Sequence, residues 1–442
     1  MLRSTTLLLP FLLHSVLTVT ASSAAVRQVP QQHATIQAAI DACEPGDTVL
    51  VAAGQYRERI RLQPGITVRS AGDQSRGKIG LSRAESTVLD GSGEGDHAGV
   101  ILAEKSTLDG FTVTRVGHYD QTVWQKHFDT HGEELADEDG SVQEGSIPAI
   151  SVPAVNCTVI NNLVHHNGNV GIAVTGDPDH RANPLIEDNF CWRNMGGGIG
   201  AAEEAEPLIR GNTCFENLRA GIGCRNANPL IVDNICHGNV RAGIGCREGA
   251  RPVIRGNHCH KNRRAGIGIR MKGTSPVVED NECSDNEMAG IGCRDSSEPV
   301  IRRNRCFRNL LAGIGCDGAR PLIVENECRE NARAGIGMRG KADAILRRNR
   351  CIGNKLVAIG VTEGSTAVII DNHLSRTGGA PPVIAVKDSS TARILHNQIS
   401  GGGVAAVLVQ GTATVSGNTL TGSGDRQGNA IWVWAESTVT VS

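Results

Sequence analysis

The residues best equipped for chemistry lie in two short segments of this 442-residue chain. The first, 115–147, carries His118, Tyr119, Asp120, His127, Asp129 and His131, interleaved with Trp124 and Phe128. The second is Gly176-Asp177-Pro178-Asp179-His180-Arg181. Tyr119, His118 or His180 can serve as base or acid, Arg181 can neutralise a carboxylate, and Asp177 or Asp179 can orient a partner or hold Ca²⁺. Such a set suits removal of a proton next to a neutralised carboxylate. The remainder of the first segment, from Glu133 to Glu144, is acidic enough to be a solvated loop.

What must position these residues is a repeat. Across 184–360 the chain restates Ile-x-x-Asn-x-Cys-x-x-Asn…Gly-Ile-Gly, with the central Ile at 199, 222, 244, 267, 291, 314, 336 and 359 and the Cys at 191, 214, 236, 259, 283, 306, 328 and 351. A period of about 23 residues marks a solenoid, in which each repeat buries its apolar side only against its neighbours. The residue two past each Ile (Ala201, Cys224, Cys246, Ile269, Cys293, Cys316, Met338, Val361) is apolar in every repeat and points inward. The same alternation sends Gly198, Gly221, Gly243 and Gly266 outward, together with Gly223, Gly245, Gly268 and Gly292. Three short strands per turn, with Asn and Gly at the corners, define an all-β fold, a single-stranded right-handed parallel β-helix. A leucine-rich repeat has a similar period but requires several Leu and a helical back.

The solenoid is expected to fill 26–442. Residues 1–25 read as a secretory signal, with Arg3, an apolar run from Leu7 to Val19 and small residues at 21–25, which implies a secreted, periplasmic or cell-surface protein without a transmembrane segment. Within 33–45, Ile36, Ala39, Ile40 and Cys43 share one helical face and predict a capping helix over the open end of the solenoid. A net charge of −2 with both signs dispersed argues against nucleic acid. The chain has fourteen Cys. Stacked at one repeat position their Cβ atoms lie too far apart for easy disulfides, so columns of free core thiols are expected, with a bond inside one turn, such as Cys236 to Cys246, left open. No His/Cys set has zinc spacing. The Asn column at 189, 212, 234, 257, 281, 304, 326 and 349 predicts a ladder of stacked amides.

Ile36-Gln37-Ala38-Ala39-Ile40-Asp41, Gly46-Asp47-Thr48-Val49-Leu50-Val51 and Gly54-Gln55-Tyr56-Arg57-Glu58 together resemble the N-terminal region of secreted pectin-lyase-like β-helix proteins. The Asn-x-Cys…Gly-Ile-Gly turns resemble the generic right-handed β-helix repeats of that superfamily, including its carbohydrate-binding, sugar-cleaving and NosD-like members. Gly54-x-Tyr56-x-Glu58 resembles one pectin methylesterase motif without that family's downstream motifs, and the Gly-His-Gly of polygalacturonases has no counterpart. Asp177-Pro178-Asp179-His180 resembles the Asp-Pro-His of alginate C5-epimerases with one residue added. The resemblance implies binding, and cleavage or C5 epimerisation, of a uronate polysaccharide. A non-catalytic binding or scaffold protein and a NosD-like accessory protein are the alternatives.

An outward column of Arg225, Arg247, Arg270, Arg294 and Arg339, interrupted by Asp317, borders the glycines. A partial second row comprises Arg219, Arg241, Arg264 and Arg333. Guanidinium groups one strand spacing apart, about 4.8 Å, repel unless compensated. A Gly floor edged by Arg therefore suits an extended acidic polysaccharide, unless neighbours such as Glu248 and Asp295 supply the counter-charge. Trp124 in the first loop, and Trp432 and Trp434 in the last turn, are candidates for stacking on sugar rings. The uncapped C-terminal turn favours self-association.

Overall fold

The computed structural model describes residues 24–92, 95–131, 147–177, 179, 183–422 and 428–442. Residues 1–23 of the expected signal segment, as well as Pro178, His180 and Arg181, lie outside the described residues. Each turn contributes one strand to each of three parallel sheets, and the strands pair with their counterparts one turn away. Sheet I has 17 strands, from Val26–Val29 to Thr438–Val441. Sheet II has 15, from Gly54–Tyr56 to Thr419–Thr421, and sheet III has 15, from Ile60–Arg61 to Asn429–Val433. The fold is a right-handed parallel β-helix.

Registers follow the sequence columns. Ile222 pairs with Ile244 and Cys224 with Cys246 in sheet III, while Cys214 pairs with Cys236 in sheet II. The Ile and Cys columns are buried throughout and form one continuous core. All the cysteines are buried and free, including Cys236 and Cys246.

Two asparagine ladders line the corners. The expected one turns sheet I into sheet II: the Asn234 backbone N–H donates to Asn257 Oδ1 at 2.9 Å, and its Nδ2 donates to Asn257 Oδ1 and the Ile209 carbonyl. The second turns sheet II into sheet III and runs from Asn167 through Asn194, Asn217, Asn239, Asn262, Asn286, Asn309 and Asn331 to Asn354. Each amide thus satisfies backbone groups that a sharp corner leaves without partners.

The glycine before each Ile departs from the expected alternation. Gly221, Gly243 and Gly266 are buried, and a Cβ on Gly243 would lie 2.7 Å from the Gly266 carbonyl oxygen and 2.9 Å from Asn262 Nδ2. This position belongs to the corner, one residue before the strand starts, so period 2 does not yet apply. Gly223, Gly245 and Gly268 do face outward, where a Cβ on Gly245 would meet only Ala220 Cβ at 3.5 Å.

Helix α1 (Ile36–Asp41) buries Ile36, Ala39 and Ile40 against the first turns and covers that end of the core. Its amino end is closed by Thr35, whose Oγ1 accepts from Ala38 N–H at 3.1 Å, and by Glu58, whose carboxylate accepts from Ile36 and Gln37 N–H at 3.0 and 3.1 Å. In the same segment the Tyr56 hydroxyl donates to the Ala52 carbonyl at 2.9 Å. The Gly54-x-Tyr56-x-Glu58 motif therefore has a full structural occupation at the cap. A short helix that periodicity does not announce, α2 (Ser82–Ser86), lies on sheet II, where Ala84 packs with Leu163 and Trp192.

Outside the core, successive turns are joined by ion pairs. Asp280 accepts from Arg303 at 2.8 Å and Asp285 from Arg308 at 2.8 Å, Glu282 pairs with Arg305, and Glu325 and Glu327 pair with Arg348 and Arg350 at 3.6 Å. Each is exposed and individually contributes on the order of 0–1 kcal/mol.

Candidate functional site

From residue 115 the chain leaves the solenoid at the corner between sheets II and III and forms helix α3 (Gln121–Asp129), and residues 132–146 of the insertion lie outside the described residues. Asp120 starts it: its Oδ1 accepts from Thr122 and Val123 N–H at 2.7 and 3.0 Å. From its entry, the helix runs along the corner and not over the glycines of sheet III. Trp124, 1% exposed, packs on Leu218 and Val240, which are corner residues one turn apart, with Tyr119, Phe128 and Met195 around them. Trp124 and Phe128 stack at 4.8 Å, Arg193 lies 5.0 Å over Trp124, and Arg263 lies 5.1 Å over Phe128. Past the helix, His131 Nδ1 meets Glu287 at 3.0 Å.

Beside α3, the outward residues of sheet II that follow the cysteine position form a column of rings. His165, Trp192, Phe215, His237 and His260 are register partners in consecutive turns. Their ring centroids are separated by 4.1, 5.6, 5.0 and 5.0 Å. From Trp192 to His260 the rings are nearly coplanar in tilt, at 1°, 4° and 11°. Four strand spacings of about 4.8 Å make this a track of roughly 19 Å. Ser284 interrupts it, and Phe307 follows, held between Arg308 and Arg329 at 4.6 and 4.2 Å. At the other end, Tyr119 stands edge-on to His166 at 5.0 Å.

Between the track and α3 opens a cleft of about 430 Å³ lined by Phe128, Glu216, His237, Gly238, Lys261, Arg263, Asp285 and Glu287. Its carboxylates are already engaged. Glu216 accepts from Arg193 at 2.7 Å, Glu287 from Arg263 at 2.6 Å, and Asp285 from Arg308, which holds the Asp285 carboxyl below its ordinary range.

The ring column is uncharged at neutral pH. Burial pushes His165 down to about 3 and His260 down to about 4, the latter with help from His258 and His237, and burial also lowers His237. The groups facing the His237–His260 stack are His258, Lys261, Glu216 and Asp285. A histidine whose folded value lies below its unfolded one favours the neutral form, so its contribution is complete above the unfolded value and is lost as protons bind. Thermal stability should therefore fall as pH drops from 6.5 toward about 4, and His260→Phe should flatten part of that slope. A pH-independent melting temperature across this window would contradict the assignment.

The residues singled out from sequence do not gather in one place. Tyr119 joins the α3 cluster, where burial pushes its hydroxyl up to about 12 and the hydroxyl donates to Gln121 at 2.7 Å, while His118 is exposed. Asp177 and Asp179 lie past the far end of the strand Ile172–Thr175, at the corner leading to sheet I. Roughly 13 Å of strand, at about 3.3 Å per residue, separates the two excursions. The Asp177 carboxylate accepts from Asp179 N–H at 2.7 Å, and among the described residues no group of three or more His, Cys, Asp or Glu is placed to hold a metal ion.

The arginine column of sheet III carries its own counter-charges. Arg225 meets Glu203 at 3.6 Å, Arg247 meets Glu248 at 3.4 Å, Arg294 meets Asp295 at 3.3 Å and Arg339 meets Asp317 at 2.8 Å. Arg270 is not without a partner either. The repulsion expected between stacked guanidiniums is thus offset within the chain. Trp124 is buried under its own helix, whereas Trp432 and Trp434 are exposed in the last turn with rings 6.3 Å apart.

These features define a β-solenoid with a lateral aromatic track. The chain belongs to the family described as right handed beta helix region, whose model matches residues 141–275, 230–326 and 313–442. A comparison with curated protein sequences gives no match. Among solved structures, the pre-mature gene product 12 of bacteriophage phi29 is similar at TM-score 0.54 and 14% identity, over 88% of this chain and 53% of that one. The chain thus spans about half the length of that protein. The A-module of an Azotobacter vinelandii mannuronan C-5 epimerase matches at TM-score 0.39 and 14% identity, over 92% and 94% of the two chains. The catalytic unit of a Streptomyces thermodiastaticus α-1,3-glucanase matches at 0.40 and 14%, over 90% and 66%. Likeness at these identities concerns the fold alone.

Proposed function

We propose that this protein binds an extended polysaccharide along sheet II, with sugar rings lying on the half-buried stretch of the column from Phe215 to His260. The observation that carries this reading is the stack of four rings from Trp192 to His260 beside a cleft. The outward edges of the stacked rings offer an apolar strip to the C–H groups of sugars, while carboxylates and cations at the rim supply hydrogen bonds to hydroxyls. Bases of a single-stranded nucleic acid would stack as well, but they bring phosphates that require a free cationic groove. Here Arg193, Arg263 and Arg308 are committed to carboxylates.

Phe215→Ala and His237→Ala are expected to weaken binding of a responsive glycan by about tenfold each, equivalent to about 1.4 kcal/mol, with a modest fall in melting temperature from the lost stacking that leaves the fold intact. Arg247→Ala and Arg294→Ala should leave affinity within about twofold. Calorimetric titration of all four variants decides between faces. Loss of binding in the arginine variants alone would return the site to sheet III and to an acidic polymer.

Cleavage or epimerisation of the bound chain is a separate proposal that would involve Tyr119 and His118, and product analysis of the same incubations tests it. A passive binding or scaffold role is the reading left if no product forms. Export to the periplasm or cell surface accompanies either reading and rests on residues 1–25. No described helix is long and apolar enough to cross a membrane.

A further inference from the structure

One corner position separates the cleft from the rest of the track. After each ring of sheet II the chain passes through a left-handed residue: His166, Arg193, Glu216, Gly238, Lys261, Asp285 and Arg308, at φ between 50° and 61°. Six of these seven carry side chains at the same backbone angle, so the corner does not by itself demand glycine. Gly238 changes the space instead. A Cβ there would meet nothing closer than Glu216 Cγ at 3.7 Å, and the cleft opens where this side chain is missing.

We infer that the Gly238 cleft is a subsite for one neutral, hydroxyl-rich sugar ring, admitted between Phe128 and His237. This deepens the polysaccharide reading and rests on it. The lining holds three carboxylates, Glu216, Asp285 and Glu287, against two cations, Lys261 and Arg263. Arg263 is committed to Glu287 and, over its ring, to Phe128. Each of these carboxylates is paired with an arginine, Glu216 with Arg193, Asp285 with Arg308 and Glu287 with Arg263, so an anionic sugar would find Lys261 as the lining cation that no described carboxylate already engages. A neutral ring suits the same groups: the described partner of Glu216 uses Oε2 alone, which leaves Oε1 as an acceptor for a hydroxyl, and Lys261 can donate. Phe128 and His237 border the opening with the C–H edges that their own stacks leave outward.

Calorimetric titration of the full chain tests this with neutral hexasaccharides (β-1,4-, β-1,3- and α-1,4-glucan, β-1,4-xylan) and with hexamers of galacturonate, mannuronate and glucosamine. Gly238→Asn places a side chain in the cleft at a backbone angle Asn tolerates. Gly353→Asn does the same at the equivalent corner five turns away, where nothing lies within 4 Å of its Cβ. The expected result is that a neutral hexamer binds at least tenfold more tightly than any charged one. Gly238→Asn should weaken it at least tenfold with an unchanged melting temperature, while Gly353→Asn has no effect. Tighter binding of a charged hexamer, or neutral binding lost in Phe215→Ala but not in Gly238→Asn, would overturn the subsite and leave the track standing. Binding by no hexamer, or binding insensitive to both variants, would overturn both.

Discussion

Asn239→Ala is expected to destabilise the solenoid by about 3–5 kcal/mol, among the largest effects of any single side-chain truncation here. The Asn239 Nδ2 donates to the Cys214 carbonyl and to Asn262 Oδ1, both at 3.0 Å, and its Oδ1 accepts from the Asn217 backbone N–H at 3.1 Å and from Asn217 Nδ2 at 3.0 Å. Alanine leaves the Asn217 N–H and the Cys214 carbonyl without these partners at a corner no water reaches, since Asn217 and Asn239 are fully buried. Each orphaned group costs about 1–3 kcal/mol. Stability in a repeat array is a sum over units and interfaces, so the damage should be local first. Hydrogen exchange should show amides from Asn217 to Asn262 losing protection ahead of the ends, with a matching drop in the denaturation midpoint. A change below about 0.5 kcal/mol would mean the ladder is not the support of that corner.

Two glycines two residues apart should behave in opposite ways. Gly243→Ala puts a methyl 2.7 Å from the Gly266 carbonyl oxygen, 2.9 Å from Asn262 Nδ2 and 3.1 Å from Cys259 Cβ. The first of these is backbone, held by the ladder, so relief requires two turns to move apart. A cost of about 3 kcal/mol or more is expected, at the upper end for overpacking a core. Gly245→Ala meets only Ala220 Cβ at 3.5 Å, an ordinary contact, and should change stability by less than about 1 kcal/mol. Melting curves of the two variants check this directly, and equal effects would restore the view that both glycines merely keep an outer floor flat.

That contrast shows where sequence reasoning stopped. The columns of Ile, Cys and Asn were legible because each repeats one residue type at a fixed step, and they define the fold, the core and the first ladder. The corner glycines were misassigned because strand alternation was carried one residue past the start of the strand. The ring track was overlooked for a different reason. Its members, His165, Trp192, Phe215, His237 and His260, share a shape but no residue type, so the column is visible only when the position after each cysteine is read for ring character. The path of α3 was not legible at all. Trp124 finds Leu218 and Val240 about a hundred residues onward, and nothing local to the insertion selects the corner over the neighbouring sheet face. The two loops leave adjacent turns but from opposite ends of a strand, so their closeness in sequence does not bring them together.

The exposed ion pairs between turns have a consequence that their small individual energies conceal. Ile on Ile, Cys on Cys and Asn on Asn would be satisfied equally well if the growing solenoid looped out an entire turn and docked on the one beyond. The core is therefore blind to miscounting. The outer columns are not, because their charge alternates: Asp280, Arg303, Glu325, Arg348 and Asp371 in one, Glu282, Arg305, Glu327 and Arg350 in another, and Asp285, Arg308 and Glu330 in a third. Omitting the turn of Arg303, Arg305 and Arg308 would set acid on acid in all three at once, and omitting the next would set guanidinium on guanidinium in the first two; like charges directly opposite are destabilising. The interior of this protein specifies that turns stack, and its surface keeps count of them.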